Sequence, residues 1–418
     1  LYKAARGTTD ILPEEQAHWR YVEKAIAEIT RLYGYQRIDT PVFEDTGLFS
    51  RSVGEGTDIV EKEMYTFEDK GKNSVTLRPE GTAPVCRAYL EHGMQNLPQP
   101  VKLYYQAPIF RYERPQAGRL REHHQFGCEA IGDADPAVDA EVIDMAWRFY
   151  KSLGLTRLSL QLNSIGCREC RPAYLILLKE YYTGQVEKLC DDCKTRLVKN
   201  PLRLLDCKQP GCQAIADAAP ASADHLCPPC GEHFASLKRN LGLLGIPFIL
   251  NKRLVRGLDY YTRTVFEFQP EEEGGQSSIG AGGRYDNLIE ELGGKPTPAI
   301  GFGIGIERVI LNLKRQGISI PVLPPLQILI ASMGDAARDV AIKLAADLRQ
   351  SGVSAVTAAG GKSLKAQLRQ ANALGARFTV IIGEDEVKAG TVTLRDMSGA
   401  SQETIPIKEL AARLRPTD

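Results

Sequence analysis

Arginines, tyrosines and cysteines at short spacings carry most of the chemistry legible in this chain. Residues 111–125 read Arg111-Tyr112-Glu113-Arg114-Pro115-Gln116-Ala117-Gly118-Arg119-Leu120-Arg121-Glu122-His123-His124-Gln125, four arginines around a Pro/Gly loop. A solvated surface hairpin has the same composition. A guanidinium, however, offers paired donors in a planar fork and stays charged at any relevant pH, so such a cluster also suits a phosphate clamp. A second stretch, Arg256-Gly257-Leu258-Asp259-Tyr260-Tyr261-Thr262-Arg263-Thr264, sets an arginine beside two tyrosines just before a strand-like run. A third, Gly280-Ala281-Gly282-Gly283-Arg284-Tyr285-Asp286, reads as a glycine-rich bend, and Leu77-Arg78-Pro79-Glu80-Gly81-Thr82 completes the set.

Eight of the ten cysteines fall between Cys167 and Cys230, with Cys86 and Cys128 elsewhere. They form four close pairs: Cys167 with Cys170, Cys190 with Cys193, Cys207 with Cys212, and Cys227 with Cys230. This spacing suits tetrahedral Cys₄ zinc, with up to two sites, in a polar segment that has few large apolar residues of its own. Such zinc would be structural, because four thiolates leave no open coordination position. Free or partly metallated cysteines are the competing reading.

Two glycine motifs carry less. Gly361-Lys362-Ser363 lacks the first glycine of a phosphate loop, since position 356 is valine. Gly301-Phe302-Gly303-Ile304-Gly305-Ile306-Glu307-Arg308 has the look of a dinucleotide fingerprint but no parallel βαβ unit around it, so its glycines are expected to let a strand and helix approach closely.

The elements that must position these residues follow from periodicity. Pro13-Glu14-Glu15 opens a helix whose apolar positions Val22, Ile26, Ile29 and Tyr33 recur at three to four residues before Gly34. A second helix follows Asp135-Pro136, with Val138, Val142, Ala146 and Phe149 on one face. Short β-rich runs at Ser74 to Leu77, Val101 to Tyr105, Leu158 to Leu162 and Thr264 to Phe268 predict a largely antiparallel sheet flanked by helices. Three prolines between Ile318 and Pro325 mark a linker. Beyond it, alternating strands and helices predict a small α/β domain that ends in a hairpin and a closing helix from Lys408.

Composition sets outer bounds. The chain has 418 residues, with 52 basic side chains against 52 acidic ones. That balance disfavours a protein that coats polyanions, so any nucleic-acid contact must be local. The absence of a long apolar run or a signal-peptide core leads us to expect a cytoplasmic protein with no membrane partner.

Taken together, these motifs resemble the class II aminoacyl-tRNA synthetases, and specifically the histidyl-tRNA synthetase family, essentially end to end. Arg37-Ile38-Asp39-Thr40-Pro41-Val42-Phe43-Glu44 resembles the dimer-forming first class motif, Phe110 to Glu129 the second and Gly301 to Arg308 the third. Arg256 to Tyr261 and Ala281 to Tyr285 are similar to the two histidine-specific signatures, and Arg6 to Pro13 to the family's opening. The resemblance implies an α+β class II catalytic domain over 1–320, a cysteine-rich insertion over 167–245 within it, and a C-terminal anticodon-binding α/β domain over 326–418.

It further implies a homodimer that uses ATP and Mg²⁺ to join L-histidine to its cognate tRNA through a histidyl-adenylate. Arg111 and Arg256 would be catalytic. Glu80, Gly81, Thr82, Arg111, Gln125, Glu129, Arg256, Tyr260, Tyr261 and Tyr285 would bind histidine. Arg111, Arg121, His123 and Arg308 would bind ATP, with His123 standing where the family pattern has a phenylalanine on adenine. Arg114 and Arg119 would meet the tRNA. Two alternatives stay open: a synthetase-like regulatory subunit of histidine biosynthesis, and a non-catalytic zinc-dependent RNA-binding protein.

Overall fold

The helix expected after Pro13 forms at Gln16–Leu32, behind a single 3₁₀ turn at Pro13–Glu15, and buries Trp19, Val22, Ile26 and Ile29 along one face. It stops where Gly34 takes a left-handed φ of +73°, a conformation that glycine adopts without steric cost. The computed structural model describes residues 1–54, 57, 59–113, 120–271, 278–399 and 401–414. Among these residues the chain divides into two compact units, Leu1–Pro321 and Val322–Asp418, and the boundary falls within the proline-rich stretch.

The first unit is built on a sheet whose six inner strands are β1 (Val101–Phe110), β2 (Glu122–Ile131), β3 (Leu158–Ser164), β4 (Thr262–Pro270), β5 (Gly280–Arg284) and β6 (Ala299–Gly305). Their spatial order is β1-β2-β6-β5-β4-β3, and every neighbouring pair is antiparallel. Two short edge strands add in parallel, Gln36–Arg37 beside β1 and Ile249–Leu250 beside β3. The antiparallel sheet expected from sequence is therefore present.

Alternation along β2 separates two chemistries. Phe126, Cys128 and Ala130 pack into an apolar layer with Val22, Phe149 and Phe302, while Gln125, Gly127 and Glu129 point to the opposite face. That opposite face carries a second core in which Tyr105, Tyr260 and Tyr285 meet Tyr174, Leu178 and Leu204 of the cysteine-rich segment. The insertion thus has large apolar residues after all, and it is mainly helical, with helices Arg171–Thr183, Asp191–Lys199, Pro210–Asp217 and Pro228–Leu243. Its polar sequence hides them because only a few residues per helix are buried.

The glycine-rich stretch at 280–284 is not a bend but the central strand β5, buried at every position. Arg284 at its end is wholly buried and serves the fold. It pairs with Asp139 at 2.7 Å and Asp286 at 3.1 Å, and donates to the carbonyls of Asp133 and Asp135.

The second unit has the strand order Ala355–Thr357, Ile328–Ser332, Phe378–Ile382, Thr391–Asp396, Gln402–Pro406. The first three strands run parallel, connected through helices Asp335–Gln350 and Leu364–Ala373, and the last two form the expected hairpin.

Candidate active site

The open face of the sheet holds a cavity of about 400 Å³. It gathers residues that lie far apart in sequence: Glu80, Thr82, Arg111, His123, Gln125, Arg256, Tyr260, Tyr261 and Arg308 all line it. Arg111 follows directly on β1, and its Nε donates to the Pro79 carbonyl at 2.7 Å. Arg308 sits in the first turn of the helix Ile306–Arg315 that β6 feeds, and it donates to the Ser278 carbonyl. Arg256 precedes β4 and pairs with Glu267 at 2.9 Å. Its Nε is buried and finds no hydrogen-bond partner among the described residues. One donor of this otherwise paired guanidinium is thus open to a further acceptor oxygen.

Between these cations lies His123. Burial first, then the charges of Arg111 and Arg308, push its pKa down to about 3. At physiological pH it is therefore a neutral flat ring, suited to stacking and adding no charge to the cluster.

The deeper part of the site is polar and closely packed. Glu80 caps the helix Thr82–Glu91, accepting the amides of Thr82 and Ala83 at 2.7 Å each, and the Tyr260 hydroxyl lies 3.4 Å from it. Burial raises its pKa against these bonds. Glu129, also buried, accepts from the Tyr285 hydroxyl at 2.5 Å and the Thr82 hydroxyl at 2.8 Å. Burial pushes its pKa up to about 8, because those donors are neutral and do not fully replace water.

Glycine makes the room. A Cβ on Gly301, directly opposite Glu129 across β2 and β6, would stand 1.8 Å from the Glu129 carboxylate, and one on Gly303 would stand 2.3 Å from the Gln125 amide. The glycines of the third motif thus make space for site side chains on the neighbouring strand. Gly81 likewise accepts the Tyr105 ring, which a Cβ would meet at 2.2 Å.

Not every expected residue converges. Gly81, Glu129 and Tyr285 lie outside the cavity lining, and so does Arg121, which lies over the Tyr112 ring at 3.7 Å and donates to the Glu113 carbonyl at 3.3 Å. Arg114 and Arg119 lie outside the described residues. Conversely, Tyr105 and Arg203 line the cavity without a sequence signal. Tyr105 reads as an ordinary strand aromatic; Arg203 belongs to the insertion, and nothing in its neighbours points to a site.

The eight insertion cysteines form two four-sulfur clusters, Cys167, Cys170, Cys227 and Cys230 in one and Cys190, Cys193, Cys207 and Cys212 in the other. Within each, the sulfurs lie within 4.8 Å of one another, a donor set able to hold a metal ion. The first cluster joins the two ends of the cysteine-dense segment, and the second lies within it.

A family model of histidyl-tRNA synthetase matches residues 7–169 and 183–309, and an anticodon binding domain matches residues 327–417. The chain belongs to the histidyl-tRNA synthetase family. Within the family, the histidine–tRNA ligase of one Dehalococcoides mccartyi strain is 63% identical over 415 residues, covering 99% of each chain. That of Desulforamulus reducens is 52% identical over 97% of each. The apo crystal structure of histidyl-tRNA synthetase from S. aureus aligns with a TM-score of 0.84 at 40% identity and covers both chains completely.

Proposed function

We propose that this chain activates L-histidine with ATP and transfers it to the terminal adenosine of its cognate tRNA. The observation that carries this reading is the meeting of three arginines, a neutral imidazole and a buried Glu/Thr/Tyr pocket in one cavity. In the first step the histidine carboxylate attacks the α-phosphorus of ATP and pyrophosphate leaves. Alignment and charge stabilisation dominate such transfers. Arg111 orients the α-phosphate and the attacking carboxylate, while Arg256 meets the charge that develops on the phosphate from the other wall. His123 stacks on adenine, with Arg308 at its side. Arg121 reaches the β- and γ-phosphates only by leaving the Tyr112 ring.

Glu80, Thr82 and Gln125 receive the ammonium end of histidine. Glu129 and Tyr261 recognise the two ring nitrogens, and Tyr260 and Tyr285 close the pocket. An apolar isostere would leave these buried groups unpaired, which gives strong discrimination without editing. Mg²⁺ takes oxygen ligands and would supply charge neutralisation to pyrophosphate; Glu113 and Glu307 line the cavity and are the carboxylates that would hold it, Glu307 being bonded to His124 in this structure. The two four-sulfur clusters are read as structural zinc sites.

Arg114 and Arg119 contact the acceptor stem, and the second unit reads the anticodon. Dimerisation is supported by the first-motif region, where Val42 and Phe43 are 41% and 56% exposed. A purely regulatory or RNA-binding role gives no reason for Arg111, Arg256 and Arg308 to share one cavity with the Glu80/Thr82/Tyr260 pocket. The test is pyrophosphate exchange into ATP, dependent on histidine among the amino acids, followed by charging of histidine tRNA. Well-folded protein that shows neither would overturn the reading.

A further inference from the structure

The second cysteine cluster lies where it can govern the active site. In a tetrahedral ZnS₄ centre with bonds of about 2.3 Å, neighbouring sulfurs are about 3.8 Å apart. The recorded separations are 3.8 Å for Cys190 to Cys207, 3.8 Å for Cys167 to Cys170 and 3.7 Å for Cys167 to Cys227. A disulfide would need about 2.05 Å. Four thiolates at these distances repel one another unless a cation sits among them.

Cys193 and Cys207 bracket residues 194–206, so a metal at the second cluster closes that segment into a loop. The loop grips the wall that carries Arg256. Asn200 Nδ2 donates to Asp259 at 2.8 Å, Arg203 Nη1 reaches the Gly257 carbonyl at 3.5 Å, and Arg253 Nε donates back to the Leu205 carbonyl at 3.3 Å. Lys199 pairs with Glu61 at 2.8 Å, on the 59–63 turn whose Ile59 and Glu63 also line the cavity. Arg203 itself lines the cavity. Helix Pro210–Asp217, which carries Cys212, adds a 3.0 Å pair from Asp217 to Arg253.

We infer that Zn²⁺ at Cys190, Cys193, Cys207 and Cys212 is a positioning centre for histidine activation: it closes the 194–206 loop and so fixes the segment that presents Arg256 and Tyr261. This deepens the proposed function and rests on it. The residues of the loop act through the wall they hold, whereas His123, Arg111 and Arg308 are held by the sheet and its helix. The effect is therefore expected on the rate of the activation step, through Arg256, and on histidine, through Tyr261, far more than on ATP affinity.

The test uses the full chain. Elemental analysis should give two zinc ions for the wild type and one for Cys207→Ser. Cobalt exchange should give the intense visible absorption of tetrahedral thiolate Co²⁺, at half the wild-type amplitude in the variant. In pyrophosphate exchange, Cys207→Ser should lose at least about tenfold in kcat/KM for histidine while KM for ATP stays within about twofold. Asn200→Ala, expected to keep both ions and the melting temperature, should reproduce a loss of roughly threefold or more in kcat/KM for histidine with KM for ATP within about twofold.

Fewer than two zinc ions in wild type purified without chelator and supplied with zinc would overturn the inference. So would Asn200→Ala at wild-type histidine kinetics, or a one-zinc Cys207→Ser variant with unchanged kinetics. If wild type carries two zinc ions but shows no histidine-dependent exchange, the proposed function has failed, and the positioning role, which rests on it, is overturned as well.

Discussion

The Tyr285 hydroxyl donates to Glu129 Oε2 at 2.5 Å, and both side chains are buried, Glu129 completely. This contact fixes the carboxylate behind the cavity lining, where the lining residue Thr82 also donates to it, and leaves it short of a charged partner. On the proposed reading, the ring N–H of bound histidine would supply a further donor. On that reading, Glu129→Gln puts an amide where the ring N–H would find an acceptor and leaves a buried donor unpaired, a cost of about 1–3 kcal/mol. We predict a loss of roughly 10- to 100-fold in kcat/KM for histidine, with KM for ATP changed less than about threefold, measured by pyrophosphate exchange.

The same residue sets a pH dependence of stability. Its folded pKa, about 8, lies above the ordinary 4.5 because burial disfavours the charged form. The folded state therefore holds its proton more tightly than the unfolded chain. The associated stability is fully present below about pH 4.5 and is lost as pH rises through about 8. Melting curves from pH 5 to 9 without ligand should show the wild type losing stability relative to Glu129→Gln up to about pH 8 and running parallel above it. Parallel behaviour across the whole range would contradict the assignment.

His123 is neutral above about pH 3 and should act as a ring rather than as a cation. His123→Phe is expected to keep KM for ATP within about threefold. His123→Ala loses stacking worth about 1–3 kcal/mol, raising that KM roughly tenfold. The wild-type KM for ATP should show no break from this residue between pH 5 and 8.

Gly301→Ala places a methyl group 1.8 Å from the Glu129 carboxylate. Since Gly301 has no left-handed φ, the cost is steric: the carboxylate must move, and so must the Cys128 carbonyl, which the methyl would meet at 2.5 Å. Folded, dye-silent protein with at least a tenfold weaker histidine Kd by calorimetry is expected, and unchanged histidine binding would rule out Glu129 as the ring contact.

Much of this architecture was legible beforehand, for reasons specific to each element. Ser74–Leu77 and Phe378–Ile382 occur at the bounds expected from their β-branched runs. β5 was missed because Gly280, Gly282 and Gly283 mimic a turn; they are strand residues here because neighbouring strands leave no space for side chains. The start of β2 is masked by Glu122, His123, His124 and Gln125; of these His123 and Gln125 border the cavity, and His124 pairs with Glu307 at 2.8 Å. Resemblance pointed to Arg111, Arg256 and Arg308, which do share a cavity, whereas Arg121 stacks on Tyr112 instead. The joining of Cys167/Cys170 with Cys227/Cys230 depends on the chain returning to the base of the insertion, a tertiary fact that pair spacing does not contain.

Arg256 bears the central claim, since its buried Nε is without a protein acceptor among the described residues. Removing a preorganised donor from a transition-state charge typically costs 10²–10³ in kcat. The direct measurement is single-turnover formation of histidyl-adenylate by wild type and Arg256→Ala, with histidine Kd determined in parallel. A rate loss of about that size, with Kd changed less than about fivefold, is the predicted result. Wild-type rates in the variant, or a loss confined to histidine Kd, would contradict a role for Arg256 at the reacting phosphate.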